Sequence, residues 1–256
     1  MADIDPTASI LAIVFAVFFV AGAAKGTVGL GLPAITIALL AGPVGFRTAI
    51  ALVLIPAILT NFWQGLGGGQ LRTVVVRLWP FLLAGFITLV LTAIFALSVS
   101  GTLLAMCLGV ILIVNSGAGL LGYHLPPPGP RWETPISGTV GGFNGVVAGL
   151  TGVYSVPSAL YFPVLELNRD VFVQAVGLWF LICSCVLLVT FGLSATMTLT
   201  TLMVSLACVV PTFAGMFIGQ RFRNRLNEKR FRQVVQAALF LLGIYLVARA
   251  VFPIAG

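Results

Sequence analysis

Residues 21–33 read Ala21-Gly22-Ala23-Ala24-Lys25-Gly26-Thr27-Val28-Gly29-Leu30-Gly31-Leu32-Pro33. The apolar stretch around them runs from Ala8 to Leu40. A helix that crosses a bilayer takes about 20 apolar residues. The stretch is therefore too long for one ordinary crossing and short for two. Glycine and proline, which loosen or stop a helix, fall in its middle together with a lysine. The segment predicts a broken helix or a helical hairpin, closed by Gly42-Pro43.

The rest of the chain has the same character. Of its 256 residues 60% are hydrophobic and 7% charged, and the mean hydropathy is +1.16. Soluble domains are about 25% charged, so too few charges remain here to solvate a surface, and lipid is the expected solvent. Inside lipid every backbone polar group needs an internal partner, which leaves helices or a closed barrel. The apolar runs are long and unalternating, so they read as helices. The start Met1-Ala2-Asp3-Ile4-Asp5-Pro6 is acidic. It lacks the basic segment of a cleavable signal, and the first apolar run is expected to stay in the mature protein.

The broken pattern occurs twice. Residues 137–165 are again long, glycine-rich and proline-marked, with Gly141-Gly142-Phe143-Asn144-Gly145-Val146-Val147-Ala148-Gly149-Leu150-Thr151-Gly152-Val153-Tyr154-Ser155-Val156-Pro157 at their centre. Phe19 to Pro33 lies over Phe143 to Pro157 without a gap, which predicts two related halves. The N-terminal half is 1–122, with a broken segment at 8–42 and spans at 48–64, 78–97 and 101–121. A linker at 123–135 carries Pro126-Pro127-Pro128. The C-terminal half is 136–256, with a broken segment at 137–165 and spans at 171–190, 197–219 and 234–251.

Charge sets the orientation. The net charge of +7 sits in loops, which fits the positive-inside rule better than nucleic-acid binding. The loop 220–233 carries Arg221, Arg223, Arg225, Lys229, Arg230 and Arg232 against Glu228, and the loop with Arg72 and Arg77 is basic too. Both are expected on the cytoplasmic side. They share that side only if each broken segment returns to the side it entered. Each half then makes an odd number of crossings. The expected fold is therefore all-α integral membrane, with two inverted four-segment halves, each a broken helix or hairpin plus three transmembrane helices. Both termini are expected outside. Paired interruptions in inverted halves point to a transporter's binding site near the midplane.

The glycine-rich segment ending in Gly29-Leu30-Gly31-Leu32-Pro33, its counterpart ending in Val156-Pro157, and the two-half pattern resemble the TauE/SafE sulfite exporter family over nearly the whole chain. Members commonly carry G-x-G-G-G before the proline, where this chain has leucine at 32 and Tyr154-Ser155 in the second half. The resemblance implies a bacterial inner-membrane exporter or permease for sulfite, organosulfonates or small carboxylates.

Lys25 is the one lysine inside an apolar run. Beside free amides and a half-helix N-terminus it would make an anion site. At the membrane surface it would simply snorkel. Gly26, Gly29 and Gly31 permit close backbone approach, and Thr27 adds a hydroxyl. Asn144, Thr151, Tyr154 and Ser155 are the matching donors of the second half, although small residues also serve tight helix packing. Asn61 and Gln174, in the spans after the breaks, are the amides expected in the pocket, whereas Gln64 and Asn115 read as interhelical hydrogen bonds. Arg47 and Arg169-Asp170 follow the broken segments and are candidates for gating or coupling, or for interface anchoring.

The six acids lie outside the middles of the spans, so no buried carboxylate relay is visible. Catalytic motifs are missing, and the lone histidine, His124, falls in the linker. An enzyme is not expected, and neither is a metal or cofactor. The four cysteines lie in apolar runs without a C-x-x-C and read as packing residues. The expected function is a secondary anion exporter working by alternating access. An importer of a small organic acid and a non-transporting scaffold or sensor subunit are the alternatives. Expected partners are the anion, the bilayer and a second copy of the chain.

Overall fold

A computed structural model describes residues 8–122, 126–192, 197–223 and 228–251; the side chains of 28, 169 and 222–232 lie outside that description. The expected basic loop 220–233, His124 and the acidic start therefore fall largely or wholly outside the described residues. Every regular element among the described residues is helical. In chain order they are α1 (Ala8–Val28), α2 (Leu32–Leu40), α3 (Phe46–Leu66), α4 (Leu71–Ala96), α5 (Gly101–Leu120), α6 (Glu133–Thr151), α7 (Ser158–Tyr161) with a 3-10 turn (Phe162–Leu165), α8 (Arg169–Gly192), α9 (Leu199–Ala207), α10 (Val209–Arg223) and α11 (Glu228–Val251). Seven stretches among the described residues are long and apolar enough to cross a membrane: α1, α3, α4, α5, α8, α9 with α10, and α11. Large apolar side chains such as Trp63, Val114, Phe217 and Leu241 stand exposed on them, as lipid-facing residues do.

Sequence explains where helices stop. α1 ends at Gly29, whose positive φ of 83° and bond from its N–H to the Lys25 carbonyl (2.7 Å) close the last turn. Gly31, at φ 103°, starts α2. Pro33 fits the first turn of α2 because an N–H there would have no helical partner. α6 ends on Gly152 at φ 71°, and Pro157 precedes α7. The two interruptions quoted from the sequence are thus real breaks: a positive-φ glycine ends one helix, a few residues lie outside any helix, and a proline stands at the start of the next. α9 and α10 part at Cys208 because Pro211 has no N–H to give the Ala207 carbonyl. α4 starts at Leu71, seven residues before its apolar run, so Arg72 and Arg77 ride on its first turns instead of a loop.

The chain divides into two compact units, each assembled from both halves of the sequence. Unit 1 comprises 1–56, 99–123 and 191–256; unit 2 comprises 57–98 and 124–190. In unit 1, α1 packs along α10. Gly22 meets the Thr212 backbone, Gly26 the Met216 carbonyl, and Gly215 and Gly219 the carbonyls of Phe19 and Ala23. Residue numbers rise together along this contact, so the helices are parallel. α5 packs on α11 through Gly109 and Gly243. There the numbers run oppositely, with Gly119 against Gln236, and the helices are antiparallel. In unit 2, α4 packs parallel to α6, with Gly141 against Phe81, Gly145 against Gly85 and Gly149 against Leu89 and Ala93. α3 meets α8 where Gly65 touches Gly177.

Lipid tails are as apolar as leucine, so helices in a bilayer gain little from burying leucine against each other. Close backbone approach at small residues and interhelical hydrogen bonds hold them instead. Thr88 Oγ1 donates to the Gly142 carbonyl at 2.7 Å, Thr92 Oγ1 to the Gly145 carbonyl at 3.3 Å, and Ser205 Oγ to the Leu52 carbonyl at 2.8 Å.

Candidate functional site

The first break lies in unit 1. Lys25 sits in the last turn of α1 and is 5% exposed. The carbonyl end of a helix favours a cation there. Gly26 abuts the Met216 backbone, so its missing side chain serves the α1–α10 contact. Thr27 Oγ1 donates to the Ala23 carbonyl at 2.9 Å and reaches the Gly219 carbonyl at 3.3 Å. A Cβ at Gly29 would meet nothing within 4 Å, and its requirement is conformational. After Gly31 the N–H groups of Leu32 and Ala34 fall in the first turn of α2, which supplies no helical partner. They face the break with the positive end of the helix dipole. Arg47 donates from Nη2 to the Val99 carbonyl at 2.6 Å, tying the start of α3 to the turn before α5.

The second break lies in unit 2. Thr151 Oγ1 donates to the Val147 carbonyl (2.7 Å) and accepts from the Val153 N–H (3.2 Å). Tyr154 is buried. Its hydroxyl lies 2.9 Å from Ser184 Oγ, with Asn61 in reach of the same oxygen, and its ring packs on Phe180 at 4.8 Å. Ser155 is buried beside it. Asn144 accepts from Trp179 Nε1 at 3.2 Å. Gln174 is occupied at both ends: Nε2 donates to the Gly65 carbonyl (2.9 Å) and Oε1 accepts from the Gln70 N–H (2.7 Å). It fastens α8 to the end of α3. Asp170 is exposed in the first turn of α8, and the side chain of Arg169 lies outside the described residues.

Unit 1 thus holds Lys25, Gly26, Thr27, Gly29 and Gly31 along one broken helix. Unit 2 brings Asn61, Tyr154 and Ser184 together around one hydroxyl, with Asn144 and Thr151 on α6. Ser184 and Trp179 had no signal of their own in the sequence. Ser137, Asn144 and Thr151, however, recur every seven residues, which puts them on one face of α6. All three are buried. The Arg77–Glu133 ion pair, 2.9 Å from Nε to Oε1, also escaped, because the partners come from different helices. No group of His, Cys, Asp or Glu among the described residues could hold a metal ion.

Comparison with curated proteins and with solved structures finds no match. The family model described as sulfite exporter TauE/SafE matches residues 14–246, nearly the full length and both breaks. The chain is a multi-pass membrane protein of the transporter class and belongs to the TauE/SafE sulfite exporter family.

Proposed function

We propose that the protein exports small anions such as sulfite or organosulfonates, by alternating access around a midplane anion site. The carrying observation is the pair of matched breaks, each a positive-φ glycine followed by a proline that opens a short helix. Broken helices at corresponding places of two halves are where transporters hold their substrates. In unit 1 the break offers a buried ammonium and the amide end of α2. In unit 2 it offers the hydroxyl of Ser155 and the amides of Asn61 and Asn144, while Thr151 and Tyr154, which donate to the Val147 carbonyl and to Ser184, rearrange to receive the anion. All are cationic or hydrogen-bond-donating groups, which suits an oxyanion. Arg47, Arg169 and Asp170 flank the breaks as gating or coupling residues, and Gln174 with Gly26 supports the framework.

Helix direction supports inverted halves. If α3, α4, α5, α8, α9–α10 and α11 each cross once, a parallel α1–α10 pair and an antiparallel α5–α11 pair allow one solution: both broken segments return to the side they entered. Each half then crosses three times and the halves are inverted. The pairings exchange between halves as well. α1 packs with α10, and α6, its counterpart, packs with α4.

The membrane potential, negative inside, would drive an anion outward with about 2.3 kcal/mol per elementary charge per 100 mV. The test is a panel of sulfite, sulfate, sulfoacetate, acetate and lactate in proteoliposomes, read as substrate-induced current with and without a potassium-diffusion potential. At least one oxyanion is expected to move, faster when the potential favours exit. Lys25→Ala is expected to raise its half-saturating concentration about tenfold or more, the size of a lost charged hydrogen bond. Equal transport by Lys25→Ala removes Lys25 from the site; no flux with any anion removes the transport function.

A further inference from the structure

Unit 2 contains three buried donors along one side of α6, of which only Asn144 belongs to the second break. Ser137, Asn144 and Tyr161 are 2%, 0% and 2% exposed. Asn144 Nδ2 finds no hydrogen-bond partner among the described residues, and Ser137 Oγ and the Tyr161 hydroxyl have only each other, a pair that keeps one proton to give. Buried polar atoms are normally paired, and each exception calls for a reason.

Their placement supplies one. Three elements each contribute two residues one helical turn apart: Arg77 and Phe81 from α4, Glu133 and Ser137 from α6, Tyr161 and Leu165 from α7 and the turn after it. The outer residues meet one another. Arg77 Nε donates to Glu133 Oε1 at 2.9 Å, and Arg77 Nη2 donates to the Leu165 carbonyl at 3.0 Å. The inner residues meet as well. Phe81 stacks on Tyr161 at 6.0 Å with 6° between the planes, and the Tyr161 hydroxyl meets Ser137, with Glu133 and Arg77 close enough to act on it. Two turns deeper on α6 is Asn144, held by Trp179, whose ring stands edge-on to Phe81 at 5.2 Å. The outer layer has the character of a membrane-surface layer. Arg77 and Glu133 keep 40% and 29% of their side chains exposed, and Trp63, Trp79 and Trp132 stand exposed on the adjoining turns, as interfacial tryptophans do.

We propose that Arg77, Ser137, Tyr161 and Asn144 form an entrance for a small oxyanion (sulfite, a sulfonate or a carboxylate) leading along α6 towards the second break, with Glu133 as the resident carboxylate that an arriving anion displaces from Arg77. The proposal rests on the anion transport proposed for the chain. Each station offers donors, falling from a guanidinium at the surface to two hydroxyls and then an amide. The Arg77 fork accepts any planar pair of anionic oxygens. Because the ion pair is half exposed and solvent-screened, it is weak enough to exchange.

The test uses the purified full-length chain, titrated with sulfite and with sulfoacetate, with chloride as control. Binding is read by tryptophan fluorescence, with Trp179→Phe assigning the signal, and compared with flux in proteoliposomes. Ser137→Ala and Tyr161→Phe each remove one hydroxyl of a pair joined by a single hydrogen bond, so both are expected to fold with at most a small drop in melting midpoint. Both are nevertheless expected to raise the half-saturating concentration about 3–10-fold, one hydrogen bond to an anion. Glu133→Gln removes the competitor and is expected to lower it about threefold or more. A purely structural cluster predicts otherwise: Glu133→Gln would weaken folding and the hydroxyl variants would titrate like wild type. If the wild type saturates and Ser137→Ala and Tyr161→Phe match it, the entrance is overturned and transport survives. If Glu133→Gln folds and binds no more tightly, the displacement is overturned. If no anion saturates the wild type, both the entrance and the transport function fall.

Discussion

Two adjacent glycines show what a single residue can decide. A Cβ at Gly141 would be driven into the Phe81 backbone, whereas one at Gly142 would rest 3.8 Å from the Thr88 methyl and 3.9 Å from Ala84. Gly141→Ala should therefore push α6 off α4 and cost about 1–3 kcal/mol, the range of overpacked sites. Gly142→Ala should stabilise by about 0.5–1 kcal/mol, because an interior helical glycine loses more entropy than alanine. Thermal unfolding of the two variants in one detergent checks the sign: the midpoints should move in opposite directions. The sequence displays Gly141-Gly142 as one signal and does not separate them, since the partner helix lies far away in the chain. The same holds at Gly26. Close backbone approach is legible in the glycine, but its neighbour, Met216, is not.

At the scale of the helix, the breaks themselves were legible, because positive-φ glycine and proline act locally. The Ala8–Leu40 stretch, too long for one span, divides where its glycines predict. What held the helices together was less legible, since small residues and threonines look alike whether they face lipid or a neighbour. Thr88 is the clearest case. Its hydroxyl bonds its own Ala84 carbonyl at 3.0 Å and the Gly142 carbonyl of α6 at 2.7 Å. Interhelical hydrogen bonds in bilayers average about 0.6 kcal/mol. Thr88→Val, which keeps shape and loses the donor, should lower unfolding stability by about that amount up to about 1.7 kcal/mol. Thr88→Ser should retain most of it. Equilibrium unfolding in mixed micelles separates the two. A loss in Thr88→Ser with Thr88→Val unchanged would mean that the methyl, not the hydroxyl, makes the contact.

Over the whole molecule, an internal match at fixed offset predicts two related halves, but it does not predict which helices pair. A repeat says which segments correspond; it is silent on which of them touch. Orientation came from charge alone, through Arg72, Arg77 and the 220–233 loop. The helix directions within the units do not by themselves say which side any connection faces, so the proposed topology makes its own predictions. The linker should lie inside, and the α4–α5 turn and C-terminus outside. Single cysteines on a background lacking Cys107, Cys183, Cys185 and Cys208 make this measurable with a membrane-impermeant thiol reagent. Ser98→Cys and Gly256→Cys should label in intact cells, and Gly129→Cys only after permeabilisation. The decisive pair is Gly129→Cys and Gly256→Cys. Three crossings separate the linker from the C-terminus if the second broken segment returns to its own side, and four if it passes through. Opposite labelling therefore means inverted halves. Labelling from the same side would make the halves parallel and leave the two breaks without the symmetry that an alternating-access cycle around them requires.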